Sequence, residues 1–303
     1  MSTDPTASTP EPGSKRSPLP EKLTNPAAHA QDDDGREVVA MLLCEPYKSS
    51  SYYVGELVRG MTSYLDTVNA QLSIISTPPA KWPEGFGERC AGVLVIPTML
   101  GVEDIELIQD MGCPFVTIAE SALPGPAIGL EIADAAMQLT ELLLDCGHRR
   151  FAMVSGHENH TDATKRRAIL RTLSAAGVAP DDVPDLQTNY DPIQAERAAT
   201  DLLKLTPRPT AVIGFNDDLA VHALTTAQHA GIKVPEEMSI AGFNDGPSAA
   251  LLFPRLTTVR LSIAAAGAAA ARSVWLAHRD GSTPESKSLA STLVIRDSVA
   301  LAP

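Results

Sequence analysis

The 303 residues carry 37 acidic against 24 basic side chains, a formal net charge of −13, and aromatic residues make up only 4% of the chain. That balance repels a phosphate backbone, whose binding rests on lysine and arginine contacts, so the chain is not expected to hold nucleic acid by itself. Its four cysteines, Cys44, Cys90, Cys113 and Cys146, are widely spaced without a C-x-x-C pair, which points to buried thiols in a reducing cytoplasm rather than a zinc or redox site.

Residues 1–37 are rich in Pro, Ser, Thr and Ala, end near the acidic run Asp32–Asp34, and read as a disordered tail. They lack the apolar core of a signal sequence, and no later stretch approaches the roughly 20 apolar residues of a membrane span, so a cytoplasmic protein without membrane contact is expected. From Val38 onward, short apolar runs alternate with amphipathic stretches. "VVAMLL", "LSIIS", "GVLVIP" and "PFVTIA" read as strands, "YYVGELVRGMTSYLDTV" and "VEDIELIQDM" as helices. Between "LSIIS" and "GVLVIP", the three prolines and two glycines of "TPPAKWPEGFGERCA" leave little room for a helix. "IADAAMQLTELLLDCGH" is a helix closed by Gly147.

A second series follows: strand "RFAMVSG", helices "TDATKRRAILRTLSAAG" and "PIQAERAATDLLKL", strand "TAVIGF", helix "DDLAVHALTTAQHAG", strands "MSIAGF" and "LTTVR", an alanine-rich helix, and a closing strand "SLASTLVIRDS". Strands alternating with helices of 10 to 15 residues signal parallel sheets built from βαβ units, here in two sets. The fold class is therefore α/β with two similar subdomains.

The tetrapeptide "GFND" occurs at Gly214–Asp217 and again at Gly242–Asp245. Each copy follows an apolar run, and their separation fits one βαβ unit of about 30 residues. Both therefore fall at the C-terminal ends of parallel strands, the edge at which open α/β sheets bind ligands. Asn216 and Asn244 can offer amide groups to a polar small molecule, or cap the helices that follow; for Asp217 and Asp218 capping is favoured. His157 and His160 in "HENH" have H-x-x-H spacing but no third ligand nearby, so no metal or cofactor is expected. The sequence contains no G-x-S-x-G elbow, Walker A loop, zinc-protease motif or strand-linked G-x-G-x-x-G, and an enzyme is not expected.

From residue 38 to the end, the chain resembles the sensor half of the lactose-repressor (LacI/GalR) family of transcription regulators, through "ELVRGM", "LLLDCGHRRFAMVSG", "RPTAVIGFNDDLAVHALTTAQHAGIKVPEEMSIAGFND", "PRLTTVRLSI" and "LVIRDSVA". The resemblance implies a type I periplasmic-binding-protein fold, two parallel-sheet subdomains joined by three crossovers near residues 147, 258 and 288. Subdomain 1 would comprise 38–147 and 259–288, and subdomain 2 would comprise 148–258 and 289–303. It also implies a ligand site. Tyr52 and Tyr53 match an aromatic pair after the first strand, or pack locally. Glu131 stands where an Asp is usual. Asn159 and Thr161 lie in the loop after "VSG", and Lys165 takes the place of a ligand-clamping arginine. Asn216 and Asn244 face the same cleft, Asn244 where an Asp is frequent. Lys for Arg exchanges a planar fork for a point charge, so recognition of an ordinary hexose is not assured.

The implied activity is control of transcription by a small polar effector, sugar-like or nucleobase-like, in a homodimer. Operator DNA is a partner by resemblance alone. Residues 1–37 carry neither a helix-turn-helix pattern nor a basic cluster, since Lys15, Arg16, Lys22 and Arg36 are scattered among prolines and acids. A solute-binding protein without DNA recognition is the alternative.

Overall fold

The structure is a computed structural model that describes residues 36–43, 52–96, 100–118, 123–156 and 159–303. The expected tail, apart from Arg36 and Glu37, lies outside the described residues, as do Cys44 and His157. The described residues form two six-stranded sheets. The first runs β1 (Val38–Leu42), β2 (Gln71–Ile75), β3 (Gly92–Val95), β4 (Phe115–Ile118), β5 (Ala127–Gly129) and β11 (Lys287–Ser288), in spatial order β11-β5-β4-β3-β1-β2. The second contains β6 (Phe151–Ser155), β7 (Asp185–Gln187), β8 (Ala211–Gly214), β9 (Ser239–Asn244), β10 (Thr257–Arg260) and β12 (Thr292–Val294), ordered β12-β10-β9-β8-β6-β7. Every pairing is parallel except that of β12 with β10.

The central strands are apolar on both faces because helices cover both faces. All four residues of β3, β4 and β8 are buried. Helix α1 (Tyr52–Thr67) packs along the alanine-rich α8 (Ile263–Asp280), which also lies on β3, β4 and β5. Among the described residues the remaining α-helices are α2 (Val102–Asp110), α3 (Ile132–Asp145), α4 (His160–Ala175), α5 (Pro192–Leu202), α6 (Asp217–His229) and α7 (Pro247–Leu251). As the prolines require, β2 and β3 are joined by 3₁₀ turns at Pro79–Lys81 and Gly87–Arg89 instead of an α-helix.

Two expectations are corrected. Helix α3 was placed with the first subdomain, but it packs on α4 and touches β10 and β12 of the second sheet. The chain therefore leaves the first sheet at Leu130–Glu131, well before residue 147. Periodicity shows that α3 has an apolar face, but not which sheet that face meets. The closing strand "SLASTLVIRDS" is in fact shorter: only Thr292–Val294 form β12 on the second sheet, while Ser288 at its start ends β11 on the first, with the third crossover between them. Strands β5 and β7 and helix α7 carry too few residues to show a period.

The second crossover, Leu261–Ser262, joins β10 to α8. All three crossovers are laced together by serines. Ser262 Oγ donates to Ala290 O at 3.0 Å, and Ser291 Oγ donates to Leu130 O.

At the opposite end of the second sheet, His148 is fully buried. Its Nδ1 lies 3.0 Å from Thr210 Oγ1, and its Nε2 lies 3.0 Å from Ser239 Oγ and 3.1 Å from Ala300 O. A carbonyl can only accept, so the contact with Ala300 assigns the ring proton to Nε2 and leaves Nδ1 to accept from Thr210. The imidazole thus pins the entries to β6, β8 and β9 to the C-terminal segment. Replacing His148 by Ala strands these polar groups and opens a cavity, so a loss of about 2–4 kcal/mol is expected in urea unfolding.

Candidate functional site

Strands β6, β8 and β9 are parallel neighbours or near neighbours, so their C-terminal ends emerge along one edge of the second sheet. The loops that follow lead into α4, α6 and α7. Such an edge gathers side chains from separate parts of the chain into one crevice.

The repeated "GFND" supplies two of these loops, and its residue types have separable roles. A Cβ at Gly214 would stand 2.6 Å from Ala220 N, and one at Gly242 would stand 2.6 Å from Asp217 Oδ1. Both glycines are therefore needed for α6 to lie close on the sheet. Phe215 and Phe243 are fully buried and flank the ammonium of Lys165, which lies 5.7 and 5.1 Å from their ring centres. The asparagines come next, at the crevice. Asn216 is the N-cap of α6, its Oδ1 accepting from Leu219 N at 2.8 Å. Asn244 ends β9 with φ 105° and is half-buried.

Asp217 was expected to cap a helix, and the structure corrects this. Asn216 is the cap, whereas the buried Asp217 carboxylate accepts from Gly246 N at 2.6 Å and from Thr258 Oγ1 at 2.5 Å. It thereby ties α6 to the loop after β9 and to β10. Burial pushes its carboxyl up from 3.8 to about 7, against the two hydrogen bonds, with the negative charges of Asp245 and Asp218 adding to the rise.

The other sequence-derived candidates separate clearly. Tyr52 opens α1 from the first-sheet side, and its ring meets the second: a Cβ at Gly246 would lie 3.6 Å from Tyr52 Cδ1. Burial, then the charges of Glu56, Asp245 and Asp217, raise its phenol above the ordinary range. Tyr53 packs against the core instead, and burial pushes its phenol up to about 12. Local packing, the alternative stated for this pair, describes Tyr53. Asn159 caps α4 through a 2.9 Å bond from Asp162 N, and the half-buried Thr161 follows it. Glu131 sits in the first crossover with a left-handed backbone, φ 42°.

Lys165 was expected to reach a ligand. It is buried, donates to Phe215 O at 2.7 Å and lies 3.7 Å from Asp162 Oδ1. Its charge supports the β8 strand end from behind.

One neighbouring residue escaped the sequence reading. Tyr190, just past β7, has φ 57°, and its hydroxyl donates to both oxygens of Asp162 at 2.6 and 2.8 Å. Its ring lies so close to Gly156 that a Cβ there would approach within 1.8 Å. The half-buried ring thus stands beside the Asn159 loop. The available signal was "NYDP" alone, an Asn-Tyr pair ahead of an Asp-Pro helix start, where a left-handed turn positions an aromatic side chain.

The fold, with polar loops converging at one sheet edge and a tyrosine approaching from the other sheet, defines a periplasmic-binding-protein-like domain. Residues 140–299, just over half of the chain, match the family described as periplasmic binding protein-like domain. The chain is 32% identical over 187 residues to the regulator GalS of Salmonella typhimurium, covering 58% of this chain and 53% of GalS. It is 27% identical over 271 residues to the regulator DegA of Bacillus subtilis, covering 86% and 80%. A LacI family regulator from Enterococcus faecium, solved with bound ribose, superposes with a TM-score of 0.78 at 20% identity, over 88% of this chain and all of that one. At that identity the likeness is one of fold. The chain belongs to the LacI/GalR family, as its effector-binding domain. It spans about half the length of GalS.

The Asp217 carboxyl titrates higher in the folded than in the unfolded chain, so the folded state binds more protons between pH 3.8 and about 7. Its contribution to stability therefore falls as pH rises through that window and is flat above it. Relative to Asp217→Asn, the wild type should lose on the order of 2 kcal/mol between pH 5 and pH 8 in urea unfolding. A pH-independent difference would show that the carboxylate is ionised throughout.

Proposed function

We propose that this chain is the effector-sensing part of a LacI/GalR-type transcription regulator, closing its two sheets on a small polar molecule, sugar-like or nucleobase-like. The observation that carries this reading is the convergence of Asn159, Asn216, Asn244 and Tyr190 on one edge of the second sheet, with Tyr52 approaching from the first. Amides and a phenol offer both donors and acceptors, which suits hydroxyl-rich or heterocyclic ligands. Tyr52 and Tyr190 add ring faces on which a sugar or base can stack. The ribose held by the Enterococcus faecium protein supports a sugar-like effector. Binding between two bodies joined by short crossovers turns occupancy into a change of their relative angle, which a dimer passes on to its partner domains. Operator DNA would be met through a segment other than the acidic sensor described here.

A homodimer is part of the proposal. Leu251 and Phe253, at and just beyond the end of α7, are 83% and 89% exposed, a large apolar surface for a free chain. Light scattering should give twice the chain mass, and Phe253→Asp should return the single-chain mass. A wild-type protein monomeric at micromolar concentration would contradict the dimer.

The effector is identified by thermal shift against pentoses, hexoses, nucleosides and purine bases, since a ligand at 100 times its Kd stabilises by about 2.7 kcal/mol. With the molecule so found, calorimetric titration of Asn244→Ala and Asn216→Ala should each show binding weakened by about 1–3 kcal/mol. Unchanged affinity in both would remove the second-sheet edge from the site.

A further inference from the structure

The segment Asn244–Gly246 is held more firmly than a ligand-contacting loop requires. Two consecutive non-glycine residues, Asn244 (φ 105°) and Asp245 (φ 56°), adopt left-handed backbone. Such a conformation persists only where its surroundings impose it. On one side, Gly246 N is bound to the buried Asp217 carboxylate. On the other, Asp245 accepts from two arginines at once: Arg260 Nε at 2.7 Å and Arg296 Nη2 at 2.5 Å.

The locations of those arginines give the arrangement its meaning. Arg260 is the last residue of β10, and the chain then enters the second crossover. Arg296 follows β12, the strand by which the chain returns from the third crossover. Arg296 is itself fixed, with Nη1 donating to Leu256 O at 2.8 Å and its backbone N donating to Thr257 Oγ1 at 2.9 Å. The Asp245 and Arg296 side chains are 8% and 13% exposed, so solvent screens their pair only weakly, whereas Arg260 is 59% exposed. Against the opposing effect of burial, hydrogen bonds from Arg296 and Arg260 hold the Asp245 carboxyl below its ordinary range.

We propose that Asp245 is a positioning residue that joins the Asn244 loop to β10 and the end of β12, making the crevice edge and the hinge strands one mechanical unit. Asn244 touches the crevice, and Asp245 behind it carries displacement of that residue to the two strands that flank the second and third crossovers. The serine lacing through Ala290 and Leu130 extends the connection to the first crossover. This goes beyond the proposed function, because it concerns the hinge and holds whatever the effector is.

Amide hydrogen exchange on the whole ligand-free chain tests the proposal. Asp245→Asn keeps the shape and removes the charge. It should speed exchange at least tenfold in 257–262 and 289–296 while leaving β6 and β7 unchanged. Arg296→Gln should do the same, the double variant should add nothing further, and Arg296→Lys should restore part of the protection. Should Arg296→Gln fold poorly, the exposed Arg260→Gln gives a milder loss confined to 260–262. Asn244→Gly, which relaxes the left-handed residue, should alter exchange at the crossovers in the wild type but not in Asp245→Asn. Exchange rising evenly over both sheets, additive effects in the double variant, or an Asn244→Gly effect that survives without Asp245 would each overturn the assignment.

Discussion

The two sheets of this protein are connected by three short crossovers, and every other feature is arranged around that constraint. Leu130–Glu131, Leu261–Ser262 and Leu289–Ser291 must lie side by side because the chain passes between the same two bodies three times. Ser262 and Ser291 give their hydroxyls to the carbonyls of Ala290 and Leu130, so the crossovers are bonded to one another as well as to their own sheets. A connection this narrow permits rotation between the sheets more readily than sliding. On the proposed function, such rotation opens and closes the crevice at the strand ends.

Polar groups at that crevice work at two depths. Asn159 and Asn216 stand at its surface, where their carboxamide oxygens cap helices, and Asn244 closes β9 beside them. Behind them, Lys165, Asp162 and Asp217 are buried and bonded, and they fix the positions of the strand ends and of Tyr190. Burying charges is costly unless each finds a partner. Lys165 answers this with a carbonyl, a nearby carboxylate and two aromatic faces, and Asp217 with a hydroxyl, a backbone N–H and a raised proton affinity.

Much of this architecture was legible in the chain itself. Apolar runs such as "GVLVIP" and "TAVIGF" announced buried parallel strands, and the prolines of residues 76–91 announced a connection without an α-helix. The "GFND" pair correctly marked two strand ends at one edge. What remained hidden depended on partners far away in sequence. Nothing near Asp217 reveals that Thr258 and Gly246 will surround it, and nothing near Lys165 reveals that Phe215 O will accept its hydrogen bond. The assignment of α3 to the first subdomain failed for a similar reason, because an amphipathic helix does not state which surface it will cover. Tyr190 was missed because β7 is only three residues long and leaves no periodicity before the turn.

The central claim is that a small polar effector sits between the sheets at the C-terminal ends of β6, β8 and β9. Hydrogen exchange with and without the effector found by thermal shift tests it directly. Protection should appear in the loops at 159–161, 189–190, 215–217 and 244–246 and in the crossovers. Protection centred instead on the groove of about 450 Å³ at the other end of the second sheet, lined by Arg150, Arg208, Thr210 and Pro303, would contradict it.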